Sequence, residues 1–266
     1  MALNNPAFSR NPAFQPGKGT ATATSTVSAA DLQRQFESPS AGARETGRMT
    51  TEDTVLKTAI CFVVLLAGGV VGWVFPSLIV VAVLVGFGLA MVNIFKRKPS
   101  PALILAYAAV QGIAVGAISA LFENLYPGIV IQAVLATVAV FGVTLVLFAF
   151  GKIRASARAT KIFLIAMVGY LVYSVLNVIL VATGVVHNAF GLSGDVKIFG
   201  IPLGFLIGIL VVLMAAYSLV LDFDAIKRGV ANRAPRVYAW TGAFGIMVTV
   251  VWLYLELLRM FAIARN

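Results

Sequence analysis

The stretch Ser218-Leu-Val-Leu-Asp222-Phe-Asp224-Ala-Ile-Lys-Arg228 sets two carboxylates one residue apart into the end of an apolar run that begins near Ile201, then passes directly into bases. A carboxylate at membrane depth costs about 2.5–3.5 kcal/mol on insertion scales, so it ordinarily faces a bundle interior, a partner or a watery cavity. Low-dielectric surroundings and a second acid nearby each favour the protonated form of a carboxyl group. Two such residues can therefore build a protonation-sensitive ion gate. The plainer reading is a helix end at the interface, with Asp222 and Asp224 paired to Lys227 and Arg228 three or four residues on. Side chains two apart diverge by about 200° on a helix, so both acids cannot share one solvated face, and one of them is expected to point inward.

The remaining polar groups at membrane depth are few: Gln111, Gln132, Asn177, Thr249 and Glu256, with Glu123 at the outer edge of its run. Glu256 has Arg259 three residues later as a same-face partner. It lies in the outer half of its run, too far from Asp224 to pair with it. Glu123 and Glu256 are candidates to flank an external mouth on an ion path. Gly191-Leu-Ser193-Gly194, with the single histidine His187 nearby, matches the short serine motif of rhomboid proteases. Here nucleophile and base would fall in one short loop, whereas that chemistry brings them from different packed helices. The chain contains no phosphate loop, dinucleotide fingerprint or His-Glu-x-x-His helix, and its one cysteine, Cys61, cannot form a cysteine cluster. A non-enzymatic protein without a cofactor is expected.

These residues need helices to position them. Of 266 residues, 60% are hydrophobic and 11% charged, a composition of a polytopic membrane protein rather than a soluble domain. Seven runs of roughly the 20 apolar residues that a span requires follow residue 53. They lie at about Thr54–Phe75, Ser77–Phe95, Pro101–Phe122, from Gly128 to Phe150, Ile162–Val185, Ile201–Asp224 and Val237–Ile263. The fold class is an all-α seven-helix transmembrane bundle over 51–266, preceded by a disordered tail over 1–50 in which Asn-Pro-Ala-Phe occurs at Asn5–Phe8 and again at Asn11–Phe14. Gly68 and Gly72, Gly112 and Gly116, and Gly204 and Gly208 are pairs four apart that allow helix backbones to approach closely in lipid.

The net charge of +10 does not require nucleic acid, because the bases sit in short loops. The tail holds five Lys and Arg, the second-to-third loop three, and the fourth-to-fifth and sixth-to-seventh loops four each, whereas the intervening loops hold only Lys197. Cytoplasmic loops carry the excess. The N-terminus is therefore expected inside and the C-terminus outside, unless the last segment re-enters instead of crossing.

Over about 50–263 the chain resembles the Bax inhibitor-1 (transmembrane Bax inhibitor motif) family, in its bacterial YccA-like branch. The resemblance rests on the seven spans, on Tyr107-Ala-Ala-Val-Gln111-Gly112 through Glu123 to Gln132-Ala-Val-Leu-Ala-Thr137, and on Leu221-Asp-Phe223-Asp224-Ala-Ile226. The last is similar to a Phe-Asp-x-x-x-Ile signature that places the family's aspartate on Asp224. Leu253-Tyr-Leu-Glu-Leu-Leu-Arg259 resembles its closing helix. The resemblance implies a bundle with a central helix in the plasma membrane of a bacterium. It also implies a pH-sensitive calcium leak latched by two aspartates sharing a proton. At the family's spacing from Asp224 the second aspartate falls on Thr249, which donates a hydrogen bond but does not titrate. Asp222, Asp224 and Thr249 are thus the candidate gate, and Asp222 and Asp224 the candidate transient ligands for calcium as the permeant ion. Two alternatives stay open. One is a regulator that docks a membrane protease or quality-control complex through the tail, and the other is a small-molecule transporter, which would call for internal repeats.

Overall fold

The computed structural model describes Gln33, residues 46–188 and residues 190–265. Of the disordered tail expected over 1–50, residues 1–45 with the Asn-Pro-Ala-Phe repeats lie outside the described residues, Gln33 excepted, whereas residues 46–50 are ordered, because backbone hydrogen bonds to the loop before the last helix and burial of Met49 hold them. Helix packing begins before residue 51. Thr50 Oγ1 accepts the Asp53 N–H and caps the first helix, α1 (Thr51–Val74), whose first turn carries Glu52 and Asp53 against the positive end of the helix dipole. Ahead of it, the Met49 N–H donates to the Ala234 carbonyl and the Arg236 N–H to the Gly47 carbonyl. Residues 47–49 thus strap across the loop before the last helix, and the Met49 side chain is buried.

Pro76 starts a single 3-10 turn, Pro76–Leu78, that reverses the chain into α2 (Ile79–Phe95). Pro101 opens α3 (Pro101–Leu125), where its missing N–H costs nothing. Gly128, at φ +81, supplies the left-handed turn into α4 (Ile129–Ala149). Ser156 caps α5 (Ala157–Ala182) by accepting from the Ala159 N–H. The connection that follows contains a one-turn helix, Leu192–Asp195, and a small hairpin of β1 (Lys197–Ile198) and β2 (Ile201–Pro202). The two residues between the strands, Phe199 and Gly200, both have positive φ, the geometry that matches strand twist in a two-residue turn.

α6 (Leu203–Ala231) runs about two turns beyond Asp224, where the sixth run was expected to stop. Lys and Arg favour helix, and the Asp224–Arg228 ion pair four residues apart supports that extension. α7 (Ala239–Arg265) follows a short 3-10 turn. Among the described residues, seven helices are long and apolar enough to cross a membrane, as expected.

α7 is the central helix: 67% of its spanning window is buried, against 0% for α5. It packs on α1, α3, α4 and α6. The glycine pairs do what their spacing implies. A Cβ at Gly68 would stand 2.2 Å from the Ala109 carbonyl oxygen, at Gly72 2.0 Å from that of Ile113, at Gly112 2.1 Å from that of Leu65 and at Gly116 2.0 Å from that of Gly69. α1 and α3 therefore touch backbone to backbone, while Gly204 and Gly208 seat Ile263 and Met260 of α7.

The basic segments gather at one end of the bundle. Arg236 at the start of α7 pairs with Asp53 at the start of α1, and Lys96 and Arg97 share a cavity with Tyr238. Arg154, Lys227 and Arg228 share another. At the opposite end Arg265 donates to the Pro127 carbonyl and to Gln132 in the α3–α4 region. α7 thus runs from one end of the bundle to the other and does not re-enter.

Candidate functional site

The two aspartates of α6 point in different directions. The Asp222 carboxylate turns toward α7, where Thr249 Oγ1 donates to its Oδ2 at 2.7 Å; Ser218, one turn earlier on α6, stands 3.4 Å from the same hydroxyl. Gly245, one turn before Thr249, makes room for it, because a Cβ there would lie 3.0 Å from Asp222 Oδ1. No salt bridge reaches Asp222 among the described residues. A hydroxyl is the group that holds this carboxylate to the neighbouring helix, and a hydrogen bond to a charged group is worth about 1.5–3 kcal/mol.

Asp224 lies on the other side of α6. Its carboxylate pairs with Arg228 Nε at 3.2 Å and lines a polar cavity with Gly151 and Arg154 of the α4–α5 turn. Thr249 meets Asp222 rather than Asp224, and the two carboxylates line different cavities, as the roughly 200° between side chains two apart on a helix implies. Among the described residues, no three His, Cys, Asp or Glu side chains are grouped to hold a metal ion.

Asp222 is approached from the basic end. A cavity of about 390 Å³ between α6 and α7 has Asp222 and Gly245 in its wall, with Tyr238 and Thr241 from the start of α7. Met49 of the strap lies over it, its sulfur 3.1 Å from where a Cβ on Gly229 would stand. The arrangement is a carboxylate in the wall of a chamber at the basic face, which Met49 also lines, bonded to the Thr249 hydroxyl of the central helix.

The two outer acids have other partners. Glu123 accepts the backbone N–H groups of Gly128 (2.6 Å) and Val130 (3.0 Å), so it stitches the α3–α4 turn and caps α4. Glu256 is buried with Arg259 on its own helix, and Tyr170 of α5 donates to its second oxygen at 2.9 Å. Each carboxylate oxygen of these two residues thus has a partner, and all but Glu256 Oε1, which pairs within its own helix, tie one element to another. Ser193 is buried with its Oγ 2.6 Å from the Tyr173 hydroxyl, while His187 is exposed. Asn177 fastens the same loop by donating to the Phe190 carbonyl and accepting the Leu192 N–H. The serine motif is a loop anchor.

Residues 5–266 match the protein-family model described as Bax inhibitor 1 like. The chain belongs to the Bax inhibitor 1-like family. No individual curated protein matches it. Within this family member, the sequence reading passed over Ser218 and Gly245, and it also missed a cluster at the basic end. Lys57, buried near the start of α1, donates to Asp53 and to the Arg236 carbonyl (3.0 Å) and lies 5.5 Å from the centre of the Trp240 ring. Arg236 closes the cluster on Asp53 through Nε and Nη2. The signal was there in Asp53 and Lys57, an acid four residues before a base in the first turn of an apolar helix.

Proposed function

We propose that this family member is a cation leak channel, with calcium as the permeant ion, whose opening follows protonation of Asp222. The observation that carries the proposal is the Asp222–Thr249 bond between the central helix and α6, at the wall of a chamber reached from the basic end. With Asp222 ionised, the bond is charge-assisted and α6 is held on α7. Protonation exchanges it for a neutral hydrogen bond, worth about 0.5–1.5 kcal/mol instead of about 1.5–3. A loss on the order of 1 kcal/mol shifts a two-state equilibrium several-fold toward the separated arrangement. Asp222, Thr249, Ser218 and nearby carbonyls supply oxygen ligands that a calcium ion accepts, few enough for it to leave again. This latch needs one titrating acid and one hydroxyl rather than two aspartates.

The charge asymmetry supports an orientation with the basic end, and with it the N-terminal strap, on the cytoplasmic side. The resemblance to the YccA-like branch supports the plasma membrane of a bacterium as its location. The test is calcium uptake into proteoliposomes holding the full chain. Uptake above that of protein-free liposomes, rising as the pH falls, is expected. Uptake no greater than in protein-free liposomes at every pH overturns the proposal.

A further inference from the structure

α1 and α4 scarcely touch each other, and two apolar clefts lie between them. The one at the basic end, about 630 Å³, is lined by Val55, Ala59 and Phe62 of α1, Phe141 and Leu145 of α4, and Ile246 at its back on α7. The one toward the opposite end, about 550 Å³, is lined by Phe62, Leu66 and Trp73 of α1, Val134 and Val138 of α4, and Tyr254 of α7. Phe62 divides them. From Thr51 to Phe62, α1 rises about 16 Å, close to half of a hydrocarbon core about 30 Å thick, so each cleft has the depth of one leaflet.

The two clefts differ in charge. No charged residue lines the one beyond Phe62. The one at the basic end has Lys227 at its rim, and Lys227, Phe148 and Ala149 are shared with the adjoining polar cavity of about 320 Å³ that contains Arg154, Asp224 and Arg228. Asp224 is engaged by Arg228, while Lys227 and Arg154 form no salt bridge among the described residues. A hydrocarbon slot one leaflet deep therefore ends at two cations with no carboxylate of their own.

We propose that this cleft binds one anionic phospholipid of the adjoining leaflet, with an acyl chain along Val55, Ala59 and Phe62 and the phosphate between Lys227 and Arg154. Both cations suit a phosphate, Arg through its forked donors and Lys as a point charge. A helix from a second copy fits the cleft poorly. Helices approach in lipid over small residues, and this chain's glycine stripes on α1 and α3 are already used against each other, whereas bulky side chains line the cleft.

The test is native mass spectrometry of the full chain released from nanodiscs made of equal parts phosphatidylglycerol and phosphatidylcholine. One retained phosphatidylglycerol is expected, in an excess over phosphatidylcholine on the order of tenfold or more, from two cations facing the phosphate. Lys227→Gln with Arg154→Gln should bring the two lipids to near parity while lipid is still retained. Ala59→Trp, at a bilayer-exposed position that disturbs no packing, should lower retention of both. Parity in the unaltered protein, or an excess surviving in the double variant, overturns the proposal. A dimer that Ala59→Trp converts to monomer also overturns it, by showing that a second copy occupies the cleft.

Discussion

Thr249→Val keeps the shape of the side chain and removes its hydroxyl, so it isolates the bond between α7 and Asp222. Thr249 is buried, and its hydroxyl donates to Asp222 Oδ2 at 2.7 Å. Loss of a hydrogen bond to a charged group removes about 1.5–3 kcal/mol from the arrangement that makes it. At a pH where Asp222 is ionised, the equilibrium between latched and separated helices should move roughly 10- to 150-fold toward separation. Where Asp222 is protonated, the bond is already weakened and the substitution should matter much less. The assay is calcium entry into proteoliposomes followed with an entrapped indicator, for the parent protein and the variant at a high and a low pH. Raised flux at high pH, approaching the parent's value at low pH, is the expected pattern. Equal flux from both proteins at high pH would refute the latch, and so would an increase of the same size at every pH.

Gly116→Ala should destabilise the α1–α3 contact by about 1–3 kcal/mol or more, since the new methyl would meet the Gly69 carbonyl oxygen at 2.0 Å; a denaturant titration in detergent checks it. Glu256→Gln removes the charge partner of the partly exposed Arg259, and a loss of about 1.5–3 kcal/mol is expected in the same titration. On the channel reading, deleting residues 1–45 should leave calcium flux unchanged. Deleting 1–50 should cost several kcal/mol, because it also removes the Thr50 cap and the buried Met49, as a comparison of thermal unfolding of the two truncations will show. A pulldown with the shorter truncation addresses the docking alternative: a regulator that works through its tail loses its partner, whereas a channel keeps its flux.

The spans were legible because crossing a bilayer demands about 20 apolar residues in a row, and little else in a chain produces that pattern. The glycine pairs were legible for a similar reason, as close backbone approach has few solutions in lipid. Choosing between Asp222 and Asp224 was harder. Apart from Tyr217 and Ser218, α6 is apolar up to Asp222, so little in it announces which way it turns, and family spacing counted from Asp224 reached a threonine that the structure places on Asp222. The contact that decides the matter joins residues 27 apart in the chain. Arg259 was found as a partner for Glu256 because it is three residues away, whereas Tyr170, 86 residues away, could not be. The cap role of Glu123 depends on the turn at Gly128 closing back on it, a feature of backbone geometry rather than of residue type.

The most direct measurement is calcium uptake into proteoliposomes between about pH 6 and 8 for three proteins side by side: the parent, Asp222→Asn and Asp224→Asn. Asp224→Asn loses an exposed ion pair worth about 0–1 kcal/mol and should keep the parent's pH dependence. Asp222→Asn cannot titrate, and its uptake should no longer change with pH. A pH dependence that survives in Asp222→Asn and disappears in Asp224→Asn would contradict the assignment of the gate to the face of α6 that meets Thr249.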